Sequence, residues 1–202
     1  MKCTLVADIK CLIRELVEDE DWAFRYSTMD DGHINFIFFT PNEMINITQA
    51  SPDVILINTT YQTNKYNLPG VHFMAVTAVG ITASISLALV ANEKEPFYNL
   101  TISTLRELVM GDTHIKVFLT DDEDALHNAI SEVYPGVPQL LYLWHINKNV
   151  LTKVHQTWII HPEFSDETNT KRKVKRDEFM ADWQALTYAK TEQDFEDGYT
   201  AL

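Results

Sequence analysis

Two polar side chains in this sequence follow short apolar segments that have the composition of buried strands. Asn58 comes directly after residues 54–57, and Asp121 follows residues 117–119 with one threonine between. A carboxylate at a strand end can bind a hard cation such as Mg²⁺, whereas the neutral amide of Asn58 compensates far less of the charge on the metal. Asp121 also precedes a helical pattern, and the local sequence alone favours a second interpretation, in which its side chain caps that helix.

Basic charge is concentrated at one place in an acidic chain. The net charge is −13, which argues against a surface that binds DNA phosphates all over. Five of the 16 lysines and arginines nevertheless lie within six positions, at Lys171, Arg172, Lys173, Lys175 and Arg176. Such a run serves as a nuclear-import signal or a phosphate contact in some proteins, and is a solvated helix face or an exposed loop in others.

Composition limits the class of protein. With 202 residues, 46% of them hydrophobic and 22% charged, the chain can form one well-buried core. The longest apolar stretch, residues 81–91, is interrupted by Thr82, Ser84 and Ser86, so no membrane-spanning segment is expected. Residues 1–13 contain charged side chains, which argues against a secretory signal. The absence of a glycine-rich phosphate loop disfavours a nucleotide-handling α/β enzyme.

Hydrophobic spacing predicts the elements at the start of the chain. Apolar residues three and four apart predict a helix over residues 7–18. Alternation on both sides of an Asp-Asp-Gly turn predicts a hairpin formed by residues 22–26 and 34–39. Together they give a small α+β lead-in over residues 1–50.

From residue 54 the pattern changes to buried strands that alternate with helices. The predicted order is β-β-β-α-β-α-β, over residues 54–57, 73–79, 81–90, 95–110, 115–119, 122–133 and 140–143, with Gly80 in the hairpin turn and Gly111 at the end of the first helix. This order predicts an α/β fold. Further helices over residues 148–155 and 177–188 complete the division into a core domain, residues 51–156, and a helical C-terminal segment, residues 157–202, which we expect to be truncated.

Three segments, read in this order, resemble the transposase domain of Mutator-like elements (MULE), a DDE nuclease on an RNase H-like fold. They are residues 53–69, which contain the run Asn-Thr-Thr-Tyr-Gln-Thr-Asn, residues 120–126 and residues 143–149. Residues 179–196 are similar to the continuation of the family into a helical region. The resemblance implies an RNase H-like mixed sheet, and the order of elements obtained from hydrophobic spacing agrees with it.

The resemblance implies a catalytic site in which three acidic residues bind Mg²⁺ or Mn²⁺. Asn58 stands where the family has the first catalytic aspartate, and Asp121 stands at the second position. Glu192 and Glu196 are candidates for the third acid, which could equally lie beyond Leu202. Because one of the three metal ligands is an amide here, we expect impaired metal binding.

Asp53 is an alternative ligand that could stand in for the missing carboxylate. It lies five residues before Asn58, at the opposite end of the strand. At about 3.3 Å per residue the two positions are about 16 Å apart. We therefore expect loss of metal affinity and not replacement.

Tyr61, Thr63 and Asn64 complete the first motif. They admit two interpretations, because turn formation and packing explain these residue types at least as well as contacts to DNA do.

Trp144, His145 and Asn149 match the third motif of the family. The cysteine that lies three residues before the histidine in the family is Tyr142 here. Tyrosine cannot replace a thiolate ligand, so we expect His145 to be buried and hydrogen-bonded and not to bind a metal.

The resemblance implies a DNA transposase that cuts and joins DNA at transposon ends in the nucleus, with a homo-oligomer as a further expectation. Asn58 predicts that this activity is impaired. A second interpretation is a domesticated, catalytically inactive protein that retains the fold to bind DNA or regulate transcription. Asn58 favours this second interpretation, whereas the absence of a zinc finger or other DNA-reading module from the sequence disfavours it as a stand-alone regulator.

Overall fold

The computed structural model describes residues 9–60, 64, 66–160 and 169–201. The chain divides into two compact units, Met1–Tyr142 and Leu143–Leu202. The domain boundaries expected from the sequence, after residues 50 and 156, remain predictions.

The first unit alternates strands and helices, as its hydrophobic pattern predicts. In chain order its elements are α1 (Ile9–Glu18), β1 (Trp22–Thr28), β2 (Ile34–Pro41), α2 (Asn42–Ala50), β3 (Val54–Thr60), β4 (Gly70–Val76), β5 (Thr82–Val90), α3 (Glu95–Leu105), β6 (Val117–Thr120), α4 (Asp124–Val133) and β7 (Gln139–Leu141). The predicted α/β class is confirmed.

The seven strands form one mixed sheet in the order β1-β2-β5-β4-β3-β6-β7. Neighbours from β1 to β3 are antiparallel, whereas β3 pairs with β6, and β6 with β7, in parallel. The hairpin of β1 and β2 extends this same sheet, because β2 pairs with β5 from Phe36 opposite Val90 to Phe39 opposite Leu87.

Alternating residues of the central strands bury one face of the sheet against α3 and α4. Ile55 and Ile57 of β3 lie in this core, and fully buried residues of the two helices share it, among them Tyr98, Ile102, Leu105, Leu126, Ala129 and Ile130. Burying a large apolar side chain of this kind stabilises the fold by about 1.5–3 kcal/mol. The core therefore fixes the position of β3 between β4 and β6.

The predicted strand over residues 73–79 is wrong at both ends. β4 begins at Gly70 and ends at Val76, because residues 77–80 form the turn. Gly80 has a φ of +77° and its N–H donates to the carbonyl of Thr77 at 2.8 Å. Thr77, Ala78 and Val79 have the composition of a strand, which is why the sequence predicts one there.

Two helical predictions for the first unit also need correction. The helix predicted over residues 95–110 is α-helical only as far as Leu105 and continues as a π-helical turn, Arg106–Met110. The π-helical turn ends at Gly111, the residue predicted to end the helix, and the φ of +55° there favours glycine. The helix predicted from residue 122 begins at Asp124.

The second unit is helical. It consists of α5 (Leu143–Ile160), α6 (Asn169–Thr187) and α7 (Glu192–Ala201). Helix α5 begins at Leu143, so β7 ends at Leu141 and not at residue 143 as predicted. The helices predicted over residues 148–155 and 177–188 are placed too late in the sequence, because α5 begins at Leu143 and α6 at Asn169. No helix in the described part of the chain has both the length and the apolar surface needed to cross a membrane.

Candidate functional site

The parallel pair of β3 and β6 determines where the two candidate ligand positions lie. Its register places Val54 opposite Val117 and Leu56 opposite Leu119. Continuing that register by two residues makes Asn58 level with Asp121, just beyond the paired part of the two strands. Parallel strands end at the same edge of a sheet, so both positions belong to that edge. We predict that their side chains approach within roughly 4 to 7 Å, the span over which two ligands can share cations about 4 Å apart.

Asp121 is joined directly to the neighbouring strand. The backbone N–H of Thr59 donates to Oδ2 of Asp121 at 3.4 Å, across a separation of 62 residues in the chain. At 3.4 Å this hydrogen bond is longer than the usual N–H···O distance, and therefore weak. The residue after Asn58 thus contacts the residue that follows β6.

The interpretation of Asp121 as a helix cap is wrong. The N-cap residue of α4 is Glu123, and no side-chain hydrogen bond caps this helix. The carbonyl of Asp121 accepts from the N–H of Glu123 at 3.0 Å and lies 3.1 Å from Nε2 of His127. Backbone contacts therefore hold the turn after β6, and the carboxylate points to β3.

Sequence reasoning missed two residues that line this edge. Tyr98 of α3 is fully buried, and its hydroxyl lies 3.4 Å from Oγ1 of Thr59. His127 of α4 is partly buried, with Nε2 also 3.0 Å from Oγ1 of Thr120. Neither residue has a spacing in the sequence that would have identified it, because both come to the edge from helices.

Asn58 also has a neighbour on its other side. It lies directly opposite His72 in the antiparallel pair of β3 and β4, so the two side chains share one face of the sheet. Nε2 of His72 is 2.6 Å from Oγ of Ser84, on the next strand. Burial lowers the pKa of His72 below its ordinary value, which keeps the imidazole neutral at pH 7.

Asn64 has a structural role in the loop after β3. Its Oδ1 accepts hydrogen bonds from the N–H groups of Tyr66, at 3.1 Å, and Leu68, at 3.2 Å, and its Nδ2 donates to the carbonyl of Leu68 at 2.7 Å. These contacts support the turn-forming interpretation of this motif residue. Tyr61 and Thr63 lie outside the described residues.

The third motif lies in the second unit. Trp144 is 55% exposed, with the ammonium group of Lys148 5.0 Å from its ring centre and the ring of His145 edge-on at 4.8 Å. His145 is half-buried and not buried as predicted, and Asn149 is exposed. Its neighbour Asn147 was not singled out from the sequence, yet its Oδ1 accepts a 2.9 Å hydrogen bond from the indole of Trp183.

The remaining predicted site residues also lie in the second unit. Glu192 is exposed at the start of α7. The basic cluster lies in the first half of α6, where Lys171, Lys173 and Lys175 are exposed. Arg176 is less exposed and forms an ion pair with Asp177 at 2.6 Å, while the side chain of Arg172 lies outside the described residues.

No three histidine, cysteine or acidic side chains of the described residues come together in a way that could hold a metal ion. The candidate edge offers the carboxylate of Asp121 and the amide of Asn58. Two divalent cations need several anionic oxygen ligands, and this donor set does not fit them.

Residues 54–149 match the model of the MULE transposase domain. This segment belongs to the MULE transposase domain family. The match includes β3, β6 and the third motif, and therefore both candidate ligand positions of the MULE domain.

Three curated relatives are similar to this chain. FAR1-RELATED SEQUENCE 5 of Arabidopsis thaliana is 29% identical over 148 residues, which is 71% of this chain and 18% of the relative. FAR-RED IMPAIRED RESPONSE 1 of Arabidopsis thaliana is 31% identical over 134 residues, 66% of this chain and 16% of the relative. The PKS-NRPS hybrid synthetase cheA of Chaetomium globosum is 29% identical over 133 residues, 65% of this chain and 2% of the relative. The chain thus spans less than a fifth of the length of each of these relatives.

Proposed function

We propose that this chain is the catalytic domain of a Mutator-like DNA transposase in which metal-dependent strand cleavage is impaired. The observation that carries the proposal is the parallel register of β3 and β6, which makes Asn58 level with Asp121 at one edge of the sheet. Two ligand positions on neighbouring parallel strands, level with each other, suit a metal site that acts on a phosphodiester.

The order of the strands supports an RNase H-like core. Three strands that follow one another in the chain, β3, β4 and β5, pair antiparallel, and the next two, β6 and β7, are added in parallel on the other side of β3. This arrangement is the one expected of the fold that the MULE family uses. Helices α3 and α4 connect the later strands, as the predicted order requires.

Impairment follows from the chemistry of Asn58. An amide oxygen carries no net charge, so replacing a carboxylate ligand by it lowers the affinity for Mg²⁺ or Mn²⁺. Asp53 does not replace the lost ligand, because its carboxylate forms a 2.7 Å ion pair with Lys116 at the opposite end of β3.

DNA is the proposed partner, and the nucleus the proposed location. The exposed lysines of α6 supply the cationic surface that phosphate contacts need. The rest of the chain is acidic, so DNA contact is confined to few places. Assembly into a homo-oligomer remains a prediction.

A second candidate function is favoured by one observation, the amide at position 58. A domesticated protein that keeps the fold to bind DNA or to regulate transcription has no need of the first carboxylate. The two functions differ in what restoring that carboxylate does: it recovers cleavage in an impaired transposase, and changes nothing in a scaffold that has lost its other catalytic groups.

Nicking of supercoiled DNA in Mg²⁺ or Mn²⁺ tests the proposal. The wild-type chain should nick slowly or not at all, and Asn58→Asp should nick faster. Adding Asp121→Ala to Asn58→Asp should remove the gain, whereas adding Asp122→Ala, at an exposed neighbour of the same charge, should retain it. Strong nicking by the wild-type chain that depends on Asp121 would contradict the impairment, and no gain in Asn58→Asp would favour the scaffold.

A further inference from the structure

The side chain of His127 reaches back from helix α4 to the main chain at the end of β6. Its Nε2 lies 3.1 Å from the carbonyl oxygen of Asp121 and 3.0 Å from Oγ1 of Thr120. A carbonyl oxygen can only accept a hydrogen bond, so the contact with Asp121 requires the proton of the ring to be on Nε2. The imidazole of His127 therefore donates to the main chain of the candidate metal ligand.

A second donor shares the carbonyl of Asp121. The N–H of Glu123 donates to it at 3.0 Å. Donors prefer to lie near the plane of a carbonyl group, so two donors that approach from different elements fix that plane. The carbonyl is bonded to the Cα from which the side chain of Asp121 projects, and fixing its plane restricts the directions that the carboxylate can take.

The helix that carries His127 is itself attached to the sheet. Nε2 of Gln139, on β7, lies 3.2 Å from the carbonyl of His127 and 2.9 Å from Oγ of Ser131. Strand β7 is in turn joined to the end of β6, where the N–H of Tyr142 donates to the carbonyl of Thr120 at 2.8 Å. The imidazole therefore approaches the end of β6 from a fixed position.

The carboxylate of Asp121 has to be held accurately if it is to bind a metal. Ligand groups need to lie within about 0.5 Å of their productive position. The hydrogen bond from the N–H of Thr59 to Oδ2 is long, at 3.4 Å, and therefore weak. The two bonds to the carbonyl of Asp121, at 3.0 and 3.1 Å, are shorter and hold the residue more firmly.

We propose that His127 is a positioning residue, which fixes the main chain of Asp121 so that its carboxylate faces β3 beside Asn58. It acts through Asp121 and binds no metal through Nε2, because a protonated ring nitrogen has no free electron pair to give. The consequence for metal binding rests on the proposed function, whereas the effect on the direction of the carboxylate does not. Removing a group that orients a metal ligand typically lowers metal affinity by about 10- to 100-fold.

The amide of Thr59 reports the direction of the carboxylate without any metal. Its chemical shift and its hydrogen exchange are measured by NMR in the ¹⁵N-labelled full chain and in the variants His127→Leu and His127→Gln. Leucine cannot donate a hydrogen bond, whereas glutamine has an N–H at a comparable reach. His127→Leu should shift the Thr59 signal and speed its exchange by about threefold or more, and His127→Gln should stay close to the wild type. His114→Leu, at an exposed histidine before β6, is the control and should leave Thr59 unchanged.

Mn²⁺ binding tests the consequence for the metal site. In the Asn58→Asp background, adding His127→Leu should weaken Mn²⁺ binding by roughly tenfold. Adding His127→Gln should retain most of the affinity, and adding His114→Leu should retain all of it. Urea unfolding of the same variants shows whether each is folded under the conditions of the titration.

The wild-type chain gives a test that needs no variant. The ¹⁵N signals of the neutral His127 ring should be those of the tautomer protonated on Nε2, and the tautomer protonated on Nδ1 would overturn the inference. An unchanged Thr59 amide in His127→Leu would also overturn it, as would an equal change in His127→Gln, which would indicate that the ring only packs.

The two proposals fail in different ways. If Asn58→Asp gains no Mn²⁺ affinity, the proposed function is contradicted, and the Thr59 amide and the tautomer still decide the role of His127. If the gain appears and His127→Leu leaves it intact, the metal site is supported and the positioning role is wrong.

Discussion

The backbone N–H of Thr59 points at Oδ2 of Asp121 from 3.4 Å away. The N–H belongs to the residue of β3 that follows Asn58, and the carboxylate oxygen belongs to the acid that follows β6, the parallel neighbour of β3. A metal site shared by Asn58 and Asp121 requires β3 and the residue after β6 to lie this close, so substitutions at this contact should affect both stability and metal binding.

Replacing Asp121 with Asn should change the free energy of unfolding by less than about 1 kcal/mol. A hydrogen bond to a charged group is worth about 1.5–3 kcal/mol at good geometry, and this one is long. Urea unfolding of the variant and the wild-type chain measures the difference. A loss of several kcal/mol would mean that Asp121 is a structural residue, which would weaken its role as a metal ligand.

Tyr98 should be important to the fold through its ring and not through its hydroxyl. The side chain of Tyr98 projects from α3 into the hydrophobic core and is fully buried, and its hydroxyl lies 3.4 Å from Oγ1 of Thr59. Tyr98→Ala should therefore cost about 3–5 kcal/mol, and Tyr98→Phe about 1 kcal/mol or less. Thermal unfolding of the two variants separates these contributions, and equal costs would contradict the assignment.

Asn64 should stabilise the loop after β3. Asn64→Ala removes three hydrogen bonds within the turn and should lower the free energy of unfolding by about 1–2 kcal/mol. Asn149→Ala, at an exposed motif residue, is the control and should stay within about 0.5 kcal/mol of the wild-type value. Equal stability of both variants would refute the turn-forming role.

Acid should destabilise the fold in part through His72. The pKa of His72 is lowered in the folded chain by burial, so the unfolded chain binds a proton more readily. The cost is absent well above pH 6.5 and grows as the pH falls below that value. The loss of stability between pH 7.5 and pH 5.5 should be smaller in His72→Gln than in the wild-type chain. His114→Gln, at an exposed histidine, should behave like the wild type, and identical slopes in all three would contradict the prediction.

Most of the fold could be predicted because its strands carry continuous or alternating apolar residues. The run before Asn58 predicts β3, and alternation around a glycine turn predicts the β1–β2 hairpin, as the structure confirms. Helix α2 was missed, since its inward contacts come mainly from Met44 and the buried Thr48, whose hydroxyl donates to the carbonyl of Met44 at 2.6 Å. A helix that contacts the core through so few apolar residues shows no clear hydrophobic periodicity in the sequence.

The candidate site could be predicted only in part, for a different physical reason. Asp121 could be placed after β6 because the apolar run of that strand ends just before it, whereas the end predicted for β3 at residue 57 is wrong, since β3 continues through Asn58 to Thr60. The contact of Thr59 with Asp121, and the approach of Tyr98 from α3, depend on strand register and helix packing, which bring together residues 39 to 62 positions apart. Local patterns contain no information about such distances.

Calorimetric titration with Mn²⁺ tests the central claim, that Asn58 occupies a metal-ligand position beside Asp121. Asn58→Asp should bind Mn²⁺ at least about tenfold more tightly than the wild-type chain, because it restores a second carboxylate at the edge. The double variant Asn58→Asp with Asp121→Asn should lose that gain. An Asn58→Asp variant with unchanged Mn²⁺ affinity, or a gain that persists without the carboxylate of Asp121, would show that the two residues do not share a metal site.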